Sequence, residues 1–150
     1  MTDPDRRSLA VNEEPLPPER YPWQPIDRPG VLAERRFIQS SEVDRVLQTF
    51  GANPMANRHR VLAVGSKASF DVMHRKMARA GLVTPLAMTI TRRTGVAVGH
   101  SAHVSLPGYV AAAPFRRAGY VRRFVAVHLD DEQLAELDST EPNNTRFEHE

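Results

Sequence analysis

The sequence predicts an α+β domain in which short strands and amphipathic helices alternate. Two observations indicate this class. Apolar runs of strand length alternate with segments whose apolar residues recur at helical spacing. Glycine, proline and serine lie at the joints between these segments, where turns and helix caps use them. The 150 residues suffice for one domain with a core of its own, so no second domain is expected.

Composition excludes several kinds of protein. Apolar residues make up 41% of the chain and charged residues 25%, proportions that do not indicate disorder throughout. Cysteine is absent, which excludes disulfides, thiolate metal sites and a cysteine nucleophile. No apolar run approaches the roughly 20 residues of a membrane span. The first 15 residues lack the apolar region of a secretory signal, so no such signal is expected. We therefore expect a cytoplasmic protein without a membrane partner.

Residues 1–30 are rich in proline, and we expect them to form an extended arm because proline disfavours the interiors of helices and sheets. The arm holds the only tryptophan, Trp23, so we expect it to dock either on its own domain or on a partner. Packing against its own domain is the favoured interpretation, since a single aromatic cluster seldom marks a recognition motif.

The first helix is predicted between Ser41 and Gly51. Apolar residues recur there at helical spacing, and these two residues are placed as its caps. A turn-rich connector follows. We place a domain boundary in it near residue 57, so that residues 1–57 hold the arm and one amphipathic helix, and residues 58–150 form the main domain.

The stretch Val61–Ser69, with the sequence VLAVGSKAS, is the main candidate for a site. Its apolar run stops at Gly65 and Ser66, and a helical pattern follows, with Ser69 as N-cap and Gly81 just after the end. A strand that enters a helix through a glycine turn leaves backbone N–H groups free at the turn. Such groups can hold a carboxylate or an oxyanion.

Three further strands are predicted after this helix. Thr84–Arg92 and Val96–Ser105 form two of them, joined by a hairpin link at Arg93–Gly95. Pro107–Gly108 form a second turn, and another strand is predicted over Tyr120–Leu129.

The last predicted helix starts at Asp130. Asp130 and Gln133 have the spacing of a capping box, and Leu134 and Leu137 supply an apolar stripe. The helix must end before Pro142, because the residue before a proline disfavours helical geometry.

This order of elements resembles the gamma-glutamylcyclotransferase-like superfamily. In that superfamily a first strand ends in a Tyr-Gly-Ser-Asn loop, and a later helix ends in Leu-Asp-x-x-Glu, whose glutamate is the catalytic base. The similarity covers about residues 60–147, and the segment GHSAHVSLPGYVAAAP is similar to an uncharacterised bacterial branch. The residues that match the two motifs are Gly65, Ser66, Leu137, Asp138 and Glu141.

The resemblance implies a small, mostly antiparallel β-barrel or strongly curved sheet flanked by helices. It implies that a small γ-glutamyl substrate is cyclised to 5-oxoproline with release of an amine. Glu141 would be the base, and Val64, Gly65, Ser66 and Lys67 would form the substrate loop. No metal and no cofactor are required by this chemistry.

The chain departs from the superfamily's pattern in three places. Val64 replaces the loop tyrosine and Lys67 replaces the asparagine. The superfamily's last strands are expected to be missing, which would leave an open sheet edge for the arm or a second subunit to cover. These departures favour the alternative of a non-catalytic descendant of the fold that binds a ligand or a protein.

Two histidines on the second predicted strand are metal-ligand candidates by residue type. His100 and His103 are three residues apart, so a regular strand directs them to opposite faces and they do not chelate one ion. His103 is the better candidate for lining a substrate pocket, and no metal site is expected.

Three arginine pairs are candidates for a nucleic-acid surface: Arg92–Arg93, Arg116–Arg117 and Arg122–Arg123. The net charge of +2 permits such a role without implying it. Aromatic residues of the base-stacking type do not alternate with the arginines. We interpret the pairs as scattered, solvated surface, and we do not expect nucleic acid as a partner.

Overall fold

The computed structural model describes residues 6–12, 25–63, 65–104 and 110–139. These residues contain six strands and three α-helices. The strands are β1 (Arg7–Ala10), β2 (Gly30–Ala33), β3 (Arg36–Gln39), β4 (His59–Ala63), β5 (Leu86–Val104) and β6 (Val110–Leu129). The helices are α1 (Val43–Thr49), α2 (Phe70–Arg79) and α3 (Asp131–Ser139), with short 3₁₀ turns at Met55–Asn57 and Gly65–Ala68. None of the helices in this part of the chain is long and apolar enough to cross a membrane.

The six strands form one sheet in the order β1-β3-β2-β5-β6-β4. Each neighbouring pair is antiparallel. The predicted α+β class is therefore confirmed. Among the described residues β1 and β4 are the two edges of an open sheet, and closure into a barrel is not observed. Strands from both sides of residue 57 belong to this sheet, since β2 pairs with β5.

Helices cover both faces of the sheet. Alternate residues of each strand point to opposite faces, so Val31 and Leu32 lie in different apolar clusters. On one face, α1 packs on β2, β3 and the start of β5; the buried residues of this cluster are Val31, Ala33, Ile38, Val43, Val46, Leu47 and Ala87. On the other face, the larger cluster joins Phe37 and Met88 of the sheet to Met73 and Leu137 of α2 and α3.

The described residues of the N-terminal arm pack against its own domain. Its residues 7–10 form β1, which the proline pattern did not predict, and β1 pairs along the outer edge of β3. The backbone N–H of Asn12 donates to Asp71 of α2 at 2.6 Å, and Arg75 of α2 donates to the Asn12 carbonyl at 2.7 Å. Docking of the arm on its own domain is therefore confirmed for these residues. Trp23 lies outside the described residues.

The predicted hairpin link at Arg93–Gly95 is wrong. β5 is one continuous strand through this segment, and β6 begins at Val110 rather than at the predicted Tyr120. Thr94 pairs with Val121, whereas Val96 pairs with Arg116. More residues of β6 than of β5 lie between these two pairs, so the extra residues of the irregularity are on β6. A glycine within a strand often marks such a bulge rather than a reversal of the chain. The chain reverses instead between residues 104 and 110, where the second predicted turn, Pro107–Gly108, lies outside the described residues.

Two of the three predicted helix starts are confirmed. Ser69 Oγ accepts a hydrogen bond from the N–H of Val72 at 3.5 Å. Asp130 and Gln133 form the reciprocal capping box. The backbone nitrogen of Gln133 donates to Oδ1 of Asp130 at 2.8 Å, and the backbone nitrogen of Asp130 donates to Oε1 of Gln133 at 2.9 Å. The predicted cap Ser41 is wrong: α1 begins after Glu42, which makes no capping side-chain hydrogen bond.

The predicted glycine stops are also confirmed. Gly51 follows the cap of α1 with a φ of 68°, and Gly81 follows the cap of α2 with a φ of 74°. Left-handed backbone of this kind ends many helices, and glycine adopts it without a steric penalty.

Candidate functional site

The candidate site is the strand–turn–helix unit predicted from VLAVGSKAS. β4 ends at Ala63, the 3₁₀ turn runs over Gly65–Ala68, and α2 begins at Phe70. The predicted order of elements is therefore confirmed. Val64 lies outside the described residues, and for Ser66 only the backbone is described.

The turn is held between the arm and the core. Ala68 is 9% exposed and belongs to the larger apolar cluster. Its carbonyl accepts a hydrogen bond from the backbone N–H of Ile26 at 2.9 Å. Ile26 is itself buried in the same cluster. The arm thus fixes the end of the turn that leads into α2.

The last turn of α3 borders the same core as the 3₁₀ turn. Leu137 is 2% exposed and shares the larger cluster with Ala63 and Ala68. α3 also contacts β4 at its other end, where Oδ1 of Asp131 is 2.6 Å from Nε2 of His59. Glu141, two residues after the end of α3, lies outside the described residues.

The charges around the turn suit an anion better than a cation. Lys67 is half-buried within the turn itself. The acid nearest in sequence, Asp71 in the first turn of α2, accepts the N–H of Asn12 from the arm. A lysine ammonium and the backbone N–H groups of a turn can together hold a carboxylate.

His103 is placed far from this turn along the sheet. His100 pairs with Ala112 and Val104 with Val110, so His103 lies next to the tip of the β5–β6 hairpin. The turn lies at the hairpin's base, where Ala63 pairs with Val125. The backbone register therefore does not bring His103 and the turn together.

No metal centre is present in the described part of the chain, where no group of three or more histidine, cysteine, aspartate or glutamate residues could hold an ion.

Two polar features were not predicted from the sequence. A shallow pocket of about 80 Å³ lies at the end of the β2–β3 hairpin opposite its turn. Its lining residues are Arg28, Pro29, Gln39, Ser40 and Ser41. The second feature is a partly buried hydrogen bond between Thr89 and His128. Both bring together residues distant in sequence, and neither leaves a local motif that could have revealed it.

Comparison with known proteins gave no matching protein-family model, no matching curated protein and no matching solved structure.

Proposed function

We propose that the Gly65–Ala68 turn binds a γ-glutamyl group and that the protein cyclises this group to 5-oxoproline, releasing an amine. One observation carries the proposal: the turn and the last turn of α3 border a single apolar cluster through Ala63, Ala68 and Leu137. The two motifs that resemble the gamma-glutamylcyclotransferase-like superfamily are distant in sequence. A shared core is what a common site for them requires.

The proposed reaction needs one base and one set of oxyanion donors. Glu141 takes a proton from the α-ammonium of the substrate, and the freed amine attacks the γ-carbonyl carbon of the same molecule. The new C–N bond closes the five-membered ring as the original amide C–N bond breaks. The proton held by Glu141 passes to the departing amine, and the ring nitrogen releases its second proton to water, so that 5-oxoproline forms with a neutral lactam N–H. Backbone N–H groups of the turn stabilise the oxyanion that develops between these steps.

Lys67 supports a second candidate function. It is a half-buried cation within the turn, and an ammonium paired with Glu141 would lower the pKa of that carboxyl and weaken it as a base. In that arrangement the turn holds a carboxylate ligand without converting it. The second candidate is therefore a non-catalytic binding protein with the same site.

The experiment measures 5-oxoproline release by chromatography after the full chain is incubated with a panel of γ-glutamyl amines. We expect release from at least one member of the panel, and a fall of about 100-fold or more in Glu141→Gln, because this substitution removes the base. The matched control is Glu132→Gln in the exposed first turn of α3, which should release 5-oxoproline at the wild-type rate.

Two results separate the candidates. If the folded protein releases no 5-oxoproline from any member of the panel but binds γ-glutamyl compounds in calorimetry, the cyclisation is contradicted and the binding function is supported. If Glu132→Gln loses as much activity as Glu141→Gln, Glu141 is not the base.

A further inference from the structure

The outer part of the β5–β6 hairpin is a two-stranded ribbon. β2 pairs with β5 only over Leu86–Met88, and β4 pairs with β6 only over Val125–Leu129. Beyond these positions, among the described residues, β5 and β6 pair only with each other, as far as Val104 and Val110. We call residues 92–104 and 110–123 the basic ribbon. Thirteen residues of extended strand reach about 40 Å.

Arginines meet in register at the base of this ribbon. Arg92 pairs with Arg123, and the next position pairs Arg93 with Arg122. Residues directly opposite in an antiparallel pair share a face, and successive positions alternate between faces. Arg92 and Arg123 therefore share one face of the ribbon. Arg92 and Arg123 are exposed, and Arg123 donates to the backbone carbonyl of Asp27 at 2.8 Å.

The ribbon has no acid of its own. From Val72 to Leu129 the chain contains no aspartate or glutamate, whereas the basic ribbon alone contains six arginines. Like charges directly opposite each other destabilise a strand pair. Since no carboxylate within the ribbon can offset them, an anionic partner would relieve this repulsion.

We propose that the basic ribbon binds the phosphate backbone of a nucleic-acid duplex, independently of base sequence. Guanidinium groups match phosphate with two parallel hydrogen bonds and keep their charge at any physiological pH. A two-stranded ribbon fits the major groove of DNA, which is about 12 Å wide. This inference does not depend on the proposed cyclisation.

The shape of the ribbon favours a groove over other anionic surfaces. The major groove admits a two-stranded ribbon, which brings phosphates of both DNA strands close to the base of the ribbon. Four arginine positions lie at that level, because Arg92 pairs with Arg123 and Arg93 with Arg122. The proposal departs from the sequence-based interpretation of scattered surface arginines, because strand pairing gathers two of the three arginine pairs at one level.

The test measures fluorescence anisotropy of labelled 30-base-pair duplexes with the full chain at 50–300 mM KCl. Two DNA duplexes of unrelated sequence should bind equally. If the four arginines at the ribbon base contact phosphates, the logarithm of the affinity should fall with the logarithm of salt with a slope of about −3.6. An RNA duplex in a parallel arm tests the groove geometry: because the major groove of RNA is deep and narrow, the RNA duplex should bind more weakly than either DNA duplex, and tighter binding to RNA would contradict insertion into a groove.

The decisive variant is Arg92→Gln with Arg123→Gln. Removing two phosphate contacts should weaken binding by about tenfold or more at 50 mM KCl and reduce the slope by about 1.8. The charge-matched control is Arg7→Gln with Arg79→Gln, two exposed arginines on β1 and α2, which should bind within about twofold of wild type. Circular dichroism checks folding, and Arg92→Lys with Arg123→Lys, which keeps the charge, should retain a salt-dependent slope.

Four results would overturn the proposal. They are absence of duplex binding at 50 mM KCl, an affinity that does not change with salt, equal losses in the ribbon and control variants, and tighter binding to vesicles containing phosphatidylserine than to either duplex.

Discussion

Oγ1 of Thr89 lies 2.8 Å from Nε2 of His128, which joins neighbouring strands by a hydrogen bond inside the protein. His128 is 7% exposed. Burial, and then the positive charges of Arg60 and Arg58, lower the pKa of His128 from 6.5 to about 4, against a weaker raising effect of Asp44. The imidazole is therefore neutral at pH 7, where it serves packing and hydrogen bonding rather than charge.

This depressed pKa predicts acid sensitivity. Between pH 6.5 and 4 the unfolded chain binds a proton at His128 that the folded protein does not bind. The free energy of unfolding should therefore fall as pH is lowered through this window, by about 3 kcal/mol at most, with no further loss from this group below the window. Urea unfolding at a series of pH values measures the effect.

The matched variant for this prediction is His128→Gln, a neutral residue that can still hydrogen-bond to Thr89. Carboxylates also titrate near pH 4, so the informative quantity is the difference between the two proteins. We expect the stability of wild type to fall more steeply than that of His128→Gln between pH 6.5 and 4. Parallel curves would show that His128 does not change its protonation on unfolding.

Gln133 is predicted to be a critical buried polar residue. It is completely buried, its Oε1 accepts the N–H of Asp130, and its Nε2 donates to Thr84 O at 3.0 Å. Gln133→Ala removes these partners, leaves the partly buried backbone groups of Asp130 and Thr84 unpaired and opens a cavity at a completely buried position, which should lower the free energy of unfolding by about 2–4 kcal/mol. Gln48→Ala in α1, where the glutamine is exposed, should change it by less than about 0.5 kcal/mol. Equal effects in chemical denaturation would contradict the assigned role.

Gly30 is predicted to tolerate no side chain. A Cβ atom there would lie 2.5 Å from the carbonyl oxygen of Ile38 and 2.7 Å from the ring of Phe37. That ring is stacked on Phe70, with centroids 4.9 Å apart, so it cannot move aside freely. Gly30→Ala should cost about 2–4 kcal/mol.

The comparison variant for Gly30 is Gly51→Asn, because Gly51 has a φ of 68° and a Cβ atom added there would meet nothing within 4 Å. Asparagine adopts this backbone region, so the cost should stay below about 1 kcal/mol. A thermal melt of Gly30→Ala indistinguishable from wild type would mean that the β2–β3 hairpin shifts to make room.

Local signals explain what the sequence predicted well. Ser69, Gly81 and the Asp130–Gln133 pair act within a few residues of the helix end that they cap, so their roles can be inferred from spacing alone. Gly95 failed as a predictor because a glycine between two apolar runs fits a turn and a bulge equally well. Only pairing across the sheet, which depends on distant residues, distinguishes the two.

At the candidate site, too, local features could be predicted from the sequence, whereas contacts between distant residues could not. The turn at Gly65 was predicted because strand, turn and helix are contiguous in the chain. Thr89 and His128 are 39 residues apart, and the facing of Arg92 with Arg123 depends on the register of two long strands. Neither relationship leaves a spacing signature, so both required the structure.

The claim that the turn is a γ-glutamyl site is tested most directly by following backbone amide resonances of ¹⁵N-labelled Glu141→Gln protein during titration with a γ-glutamyl dipeptide. The variant is used so that the ligand is not consumed, and the isomeric α-glutamyl dipeptide serves as the control ligand. We expect the amide signals of Gly65, Ser66 and Lys67 to shift saturably with the γ-glutamyl compound and much less with its isomer. Unchanged signals at these three residues up to about 10 mM ligand would contradict the claim.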